Sequence, residues 1–249
     1  FARIGIVPFL TAFGALGIYA SYGLTPILAF LLGFFLISRV CKYRPFPSVK
    51  REVINDLFHF SFGNYTARIF EELPRVVLPI MVINVLGAEK NAYFYIAWQI
   101  SVLLLAIPRF TSISLLAEGS YNKEELGRNV KRALKFIFIL LGFAVTGILL
   151  LGEYLLLIFG EEYAKNSYEV LLILVLGCIP FAINAVYVSV MRVKRRIKPV
   201  VGVYGGIAVV TIVVSYLLIQ EMGLVGVGIG WLVGNLVVAF SVGLRVVQR

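Results

Sequence analysis

Eight long apolar stretches, parted by short polar ones, set the plan of the chain: roughly 4–22, 24–40, 53–86, 91–118, 128–158, 167–191, 199–219 and 223–244. Each holds about 17 residues or more, the length a helix needs to cross a hydrocarbon core ~30 Å thick. Inside lipid, backbone groups must find partners within their own segment, so the spans are predicted to be helices. The expected fold is all-α, a polytopic membrane bundle of eight transmembrane helices. The first two are expected to form a hairpin turned by SYGLTP, with Thr25 as N-cap and Pro26 at the next helical position. The stretch 53–86 would measure ~51 Å as one helix, more than the core, so its opening EVINDLFHFSF is expected at the interface. Pro74, Pro79, Pro108 and Pro180 fall inside spans, where neighbouring helices or cavity water must satisfy the freed carbonyls. Gly226, Gly230 and Gly234 recur at four-residue spacing and predict a close helix–helix approach.

Composition agrees with a membrane protein. Of the 249 residues, 60% are hydrophobic and 14% charged, against about half and a quarter in a soluble domain. The net charge of +10 would suit a nucleic-acid binder, but its placement argues otherwise. Most of the Lys and Arg lie in alternate loops, at 39–51, 123–135 and 192–198, and beyond 244. The intervening loops hold only Lys90 and Lys165. By the positive-inside rule both the N and C termini are expected to be cytoplasmic. Anionic membrane lipids are then the natural partners of the loops, and no nucleic acid is needed. The loop CKYRPFPSVK (41–50) reads as a linker between a transmembrane hairpin, residues 1–45, and a six-helix unit, residues 46–249. The chain opens at Phe1 directly on an apolar run, without Met and without a signal-peptide pattern, which predicts a piece of a longer chain. Cys41 and Cys178 fall at different depths, so no disulfide is expected.

One stretch breaks the pattern. NYTARIFEELPRVVLPIMV (64–82) carries Arg68, Glu71, Glu72 and Arg75 at or inside a span. On a helical wheel Asn64, Arg68, Glu72, Arg75 and Pro79 share one sector, with Glu71 at its edge. Counting inward from Gly87 places Arg75 ~18 Å deep, past the bilayer centre, and Arg68 ~28 Å deep, near the cytoplasmic edge. Arg109, in AIPRFTS, lies ~26 Å from the outer end of its span. Two readings are open and compatible. The charges form an i,i+4 ladder, Arg68 with Glu72 and Glu71 with Arg75, that lowers the insertion cost; or they face a hydrated cavity between helices. Arg109 has no carboxylate within a turn of its own helix and needs a partner elsewhere or water. Asn184 and Tyr187 are candidates for the same cavity or for helix-packing hydrogen bonds. His59, the only histidine, is given no metal or proton role, and Trp98 and Trp231 are expected to anchor packing or the interface. No nucleophile elbow, HExxH pair, paired cysteine ligands or phosphate loop appears, so no enzyme, cofactor or metal site is expected.

Three runs carry a resemblance. LPRVVLPIMVINVLGAEKNAYFYIAWQIS (73–101) resembles the start of the C-terminal half in lipid-linked oligosaccharide flippases of polysaccharide biosynthesis, within the multidrug/oligosaccharidyl-lipid/polysaccharide exporter superfamily. There a long helix ends in an "LG" turn followed by G/A-x-[YF]-x-x-A; here Gly87 is the turn and Tyr93, Tyr95 and Ala97 fill the motif. SLLAEGSYNKEELGRNVKRALK (114–135) and LIFGEEYAKNSYEVLLIL (157–174) are similar to later parts of the same half. The resemblance implies two six-helix lobes around a cavity with alternating access. This chain would be the last hairpin of the N-terminal lobe plus the C-terminal lobe, partnered by the remaining N-terminal lobe of the same chain. It also implies a polyprenyl-linked saccharide substrate in the cytoplasmic membrane, whose phosphate needs cations: Arg75, Arg109 and Arg68 are the positions able to supply them. Glu71 and Glu72 would balance that charge or serve cation coupling, and Asn64, Asn184 and Tyr187 would be polar cavity groups. A cation-coupled multidrug antiporter of the same superfamily is the alternative. An integral-membrane glycosyltransferase would need a catalytic carboxylate in a large outer loop, and the outer loops here are short.

Overall fold

The computed structural model describes residues 14–40 and 51–247, all helical apart from short turns. The predicted linker 41–50 with Cys41, the first part of the predicted span 4–22, and the His59 side chain lie outside the described residues. The chain divides into two units, Phe1–Ile54 and Asn55–Arg249.

In the first unit, helix α1 (Gly14–Val40) corrects the predicted hairpin. It runs unbroken through SYGLTP: Pro26 is interior, and Thr25 is no cap, its Oγ1 donating to the Ser21 carbonyl at 2.8 Å. The reason is the solvent. Cap and turn signals carry weight in water, whereas an apolar segment satisfies its backbone best by continuing the helix, and membrane helices tolerate proline with help from Ser and Thr side chains.

The second unit is built from most of α2 (Arg51–Leu86), then α3 (Ala88–Tyr121), α4 (Leu126–Leu157), α5 (Glu161–Leu176), α6 (Cys178–Val193) and α7 (Ile197–Val247). Among the described residues five stretches are long and apolar enough to cross a membrane: Tyr19–Val40, Ala88–Tyr121, Leu126–Leu157, Glu161–Val193 and Ile197–Leu244. The fourth joins α5 to α6 through Gly177. At 36 residues α2 has ample length, but its charges set it apart.

The fifth stretch folds back on itself. Gly223 (φ 58, ψ −133) interrupts α7, a left-handed conformation that costs glycine nothing. Beyond it Gly226 packs on Leu218, Gly230 on Ser215 and Gly234 on Thr211, so one number falls as the other rises and the two halves are antiparallel. A Cβ at Gly230 would stand 2.7 Å from the Ser215 backbone nitrogen. This is the close approach predicted from the glycine spacing.

The turns sort by charge. Lys90 Nζ donates to Asn166 Oδ1 at 2.8 Å, which brings the α2–α3 and α4–α5 turns to one end of the unit. The α3–α4 and α6–α7 turns share a cavity at the other end, where Lys194, Arg195 and Arg196 form the second turn and Arg128, Lys131 and Arg132 follow the first in the opening turns of α4. Between them the core is apolar and aromatic. Trp98 of α3 meets Trp231 of α7 edge-on at 5.1 Å between centroids, and Phe181 of α6 stacks on Trp231 at 6.2 Å. Gly177 is the floor under that indole: a Cβ there would lie 2.6 Å from the Trp231 ring. Both tryptophans are thus packing residues, 3% and 4% exposed. Cys178 is a buried free thiol. Phe136, Phe143 and Leu150 recur on an exposed face of α4, as expected where the surroundings are lipid tails rather than water.

Candidate functional site

The polar stripe of α2 lies on the border between two faces. Ala67, Pro74, Leu78 and Val82 are buried and define the side turned into the bundle. Asn64 and Glu71 fall with them, whereas Arg68 and Arg75 are exposed on the adjoining flank and Glu72 is half-buried beside them.

This division decides the pairing, and it corrects the expected ladder. Glu71 reaches across to α3, where its Oε1 lies 3.6 Å from Arg109 Nη2; the two side chains are 19% and 31% exposed. Glu72 pairs instead with Arg75 at i,i+3, Oε2 to Nη1 3.5 Å, with side chains 38% and 49% exposed. Arg68 makes no ion pair among the described residues. The ladder fails because Glu71 points inward while Arg75 points outward. A carboxylate with low-dielectric surroundings gains more from a facing guanidinium than one in solvent does. Arg109 thereby finds on α2 the partner its own helix lacks. Its guanidinium also lies 5.7 Å from the Phe181 ring centroid, a cation–π distance. Its Nε is buried without a hydrogen-bond partner among the described residues.

Seven residues along α2 from Glu71, or ~10 Å toward the basic end, Asn64 makes a second junction. Its Oδ1 accepts from Arg192 Nε of α6 at 3.2 Å, and its Nδ2 donates to the Phe60 carbonyl at 2.9 Å. Arg192 lies 6.0 Å over the ring of Tyr204 from α7. Neither Arg192 nor Tyr204 is singled out by sequence reasoning, which counts Arg192 among loop charges. A signal existed: Phe181, Ala185, Val188 and Arg192 follow helical spacing, and the first three are buried, so Arg192 continues the inner face of α6.

Asn184 belongs to helix packing, not to an open wall. It is 1% exposed, and its Nδ2 donates to the Asn235 carbonyl at 3.0 Å, tying α6 to the second half of α7. Tyr187 is half-buried, packed against the core.

The α2–α3 part of this constellation falls in a recognisable segment. A family model described as "Polysaccharide biosynthesis protein" matches residues 2–168, more than half of the chain. The chain belongs to that family. Among curated proteins, this polysaccharide biosynthesis protein is 25% identical over 182 residues to one named "Putative O-antigen transporter" of Shigella flexneri, covering 69% of this chain and 42% of the relative. Its fold matches a solved MATE structure in the bent conformation, with TM-score 0.80 and 20% identity over 98% of this chain and 58% of that one. It also matches the lipid II flippase MurJ in an inward closed conformation, with TM-score 0.68 and 15% identity over 98% of this chain and 54% of MurJ. The chain thus spans under three-fifths of each relative's length. Family and fold agree with the superfamily that the sequence motifs resemble, and this is a multi-pass membrane protein. Glu71, Arg75 and Arg109 lie within the family match; Arg192 and Tyr204 lie beyond it.

Proposed function

We propose that this protein acts in flipping a polyprenyl-linked oligosaccharide across the cytoplasmic membrane for polysaccharide or glycan assembly. The observation that carries the reading is the charge balance along α2 and α3. Among the described residues Arg75 pairs with Glu72, Arg109 with Glu71, and Arg68 with neither, and Arg75 and Glu72 stand half-open on a flank that the residue count from Gly87 puts at membrane depth. A surplus cation there suits an anionic cargo and disfavours a cationic drug, which speaks against the antiporter alternative. The Shigella relative's name, an O-antigen transporter, points to the same class of cargo. In this reading Arg75 contacts the phosphate from the flank, Arg109 assists from α3, and Arg68 receives the head group near the interface. Glu71 and Glu72 hold the arginines when no cargo is present.

The test is binding selectivity. The purified full-length protein is expected to bind a labelled polyprenyl diphosphate saccharide at least about tenfold more tightly than the same saccharide on a neutral polyprenyl ether, the difference that charge-assisted hydrogen bonds supply. Equal affinity for the two would remove the phosphate from the recognition.

The same reading places the basic end of the bundle in the cytoplasm, with both termini there. Lys165 is exposed at the opposite end. A Lys165→Cys variant is therefore expected to react with a membrane-impermeant maleimide added outside intact cells, whereas reaction only after the inner face is opened would invert the topology.

A further inference from the structure

A second group of cations converges at the basic end of the larger unit, ~16 Å along α3 from Arg109. There α2, at Phe60 and Asn64, and the ends of α3 and α6 leave a cavity of about 580 Å³ whose polar lining is Asn64, Ser120, Lys123, Arg192 and Arg195. Among the described residues no carboxylate lines it. Among the described residues none of its three cations makes an ion pair. The positive-inside rule accounts for basic residues on this side of the membrane. It does not require them to gather around one cavity, since solvated loop charges set topology equally well.

Two details show that the gathering is built. Arg192 is held in place, its Nε on Asn64 Oδ1 at 3.2 Å and its guanidinium over Tyr204, so among the described residues its Nη groups keep their hydrogens for another partner. Arg195 is the one non-glycine residue with positive φ, at 53°, among the described residues. It sits where α6 ends with Arg196 N donating to the Met191 carbonyl at 2.8 Å. This is the helix ending in which glycine is the usual left-handed residue. An arginine there carries a backbone cost that glycine would not. What glycine would lack is the guanidinium at the cavity wall.

We propose that this cavity is a phosphate site for the head group of an anionic lipid in the adjoining leaflet, separate from the Arg75–Arg109 cargo face. The ligand chemistry is a phosphate carrying net negative charge, which guanidinium and ammonium donors recognise. Phe60, Leu116 and Val193 complete the lining with apolar surface, and a lipid, whose phosphate is followed by an apolar tail, matches that mixture better than free hydrated phosphate. The site stands whatever cargo the protein carries.

The experiment measures binding of short-chain phosphatidic acid, short-chain phosphatidylcholine and inorganic phosphate to the full-length protein in detergent, alongside its thermal midpoint. Phosphatidic acid is expected to bind, with phosphatidylcholine and inorganic phosphate each at least about tenfold weaker. Arg192→Gln and Arg195→Gly are each expected to weaken phosphatidic acid binding about tenfold. Arg195→Gly separates this role from a structural one, because glycine relieves the left-handed strain and the thermal midpoint should stay or rise. It carries the test even if Arg192→Gln fails to fold. Unchanged phosphatidic acid affinity in Arg195→Gly overturns the site, as does phosphatidylcholine binding equal to phosphatidic acid. Inorganic phosphate binding as tightly as the lipid, with the same sensitivity to Arg195→Gly, overturns the lipid assignment.

Discussion

Arg75→Ala in the full-length protein is expected to abolish export of lipid-linked saccharide while insertion and abundance stay at wild-type levels. The two halves of that statement rest on different observations. Arg75 is exposed and its partner Glu72 half-buried in the unit, and an i,i+3 pair of that kind contributes only ~0.2–0.5 kcal/mol to a helix. Its loss leaves folding intact. Placing an arginine near the bilayer centre, however, costs ~2.5–3.5 kcal/mol on insertion scales. A pair so weak does not offset that cost, which is why we assign the residue to cargo phosphate. Arg75→Lys should keep part of the activity, because a point charge binds phosphate without the planar fork. Arg68→Ala should be milder, since Arg68 lies one turn or more nearer the interface. Measured as saccharide reaching the outer face, normal export by Arg75→Ala would return the residue to a purely structural role.

The Glu71–Arg109 pair should respond in the opposite way. It is less exposed than Glu72–Arg75 and joins two helices, so removing one partner strands the other's charge in low-dielectric surroundings. Glu71→Ala and Arg109→Ala are each expected to destabilise the protein by about 3 kcal/mol, read from unfolding in detergent. The double variant Glu71→Ala/Arg109→Ala should recover a large part of that loss, giving a coupling energy above about 1 kcal/mol. Export should not return with stability, because the double variant still lacks a cation that touches cargo. Additive losses in the cycle would mean that the two side chains do not interact. Export restored together with stability would mean that Arg109 serves the fold alone.

What the sequence reveals of this fold and site depends on the range of the forces involved. Helical spans are legible because hydropathy is summed over a whole segment, and the glycine run 226–234 is legible because close approach needs small residues at helical spacing. The polar stripe is visible on a helical wheel as well, since it requires only the geometry of one helix. Its pairing is not: whether Glu71 meets Arg75 or Arg109 depends on how α2 is rotated against α3, and no wheel contains the neighbour. Thr25 and Pro26 mislead for another reason, being start signals calibrated in water and read in a segment where helix continuation wins. Arg192 is hidden by company. It opens a run of five basic residues between 192 and 198, and only the buried positions before it separate a held guanidinium from solvated loop charge.

Cargo recognition through Arg75 is tested by translocation itself, with the full-length protein in liposomes and a fluorescent polyprenyl diphosphate oligosaccharide whose exposure is followed by an impermeant quencher. Protein-dependent flipping is expected, lost in Arg75→Ala and absent for a neutral polyprenyl ether carrying the same sugar. Equal flipping of the neutral lipid, or transport of a lipophilic cation in its place, would contradict that recognition.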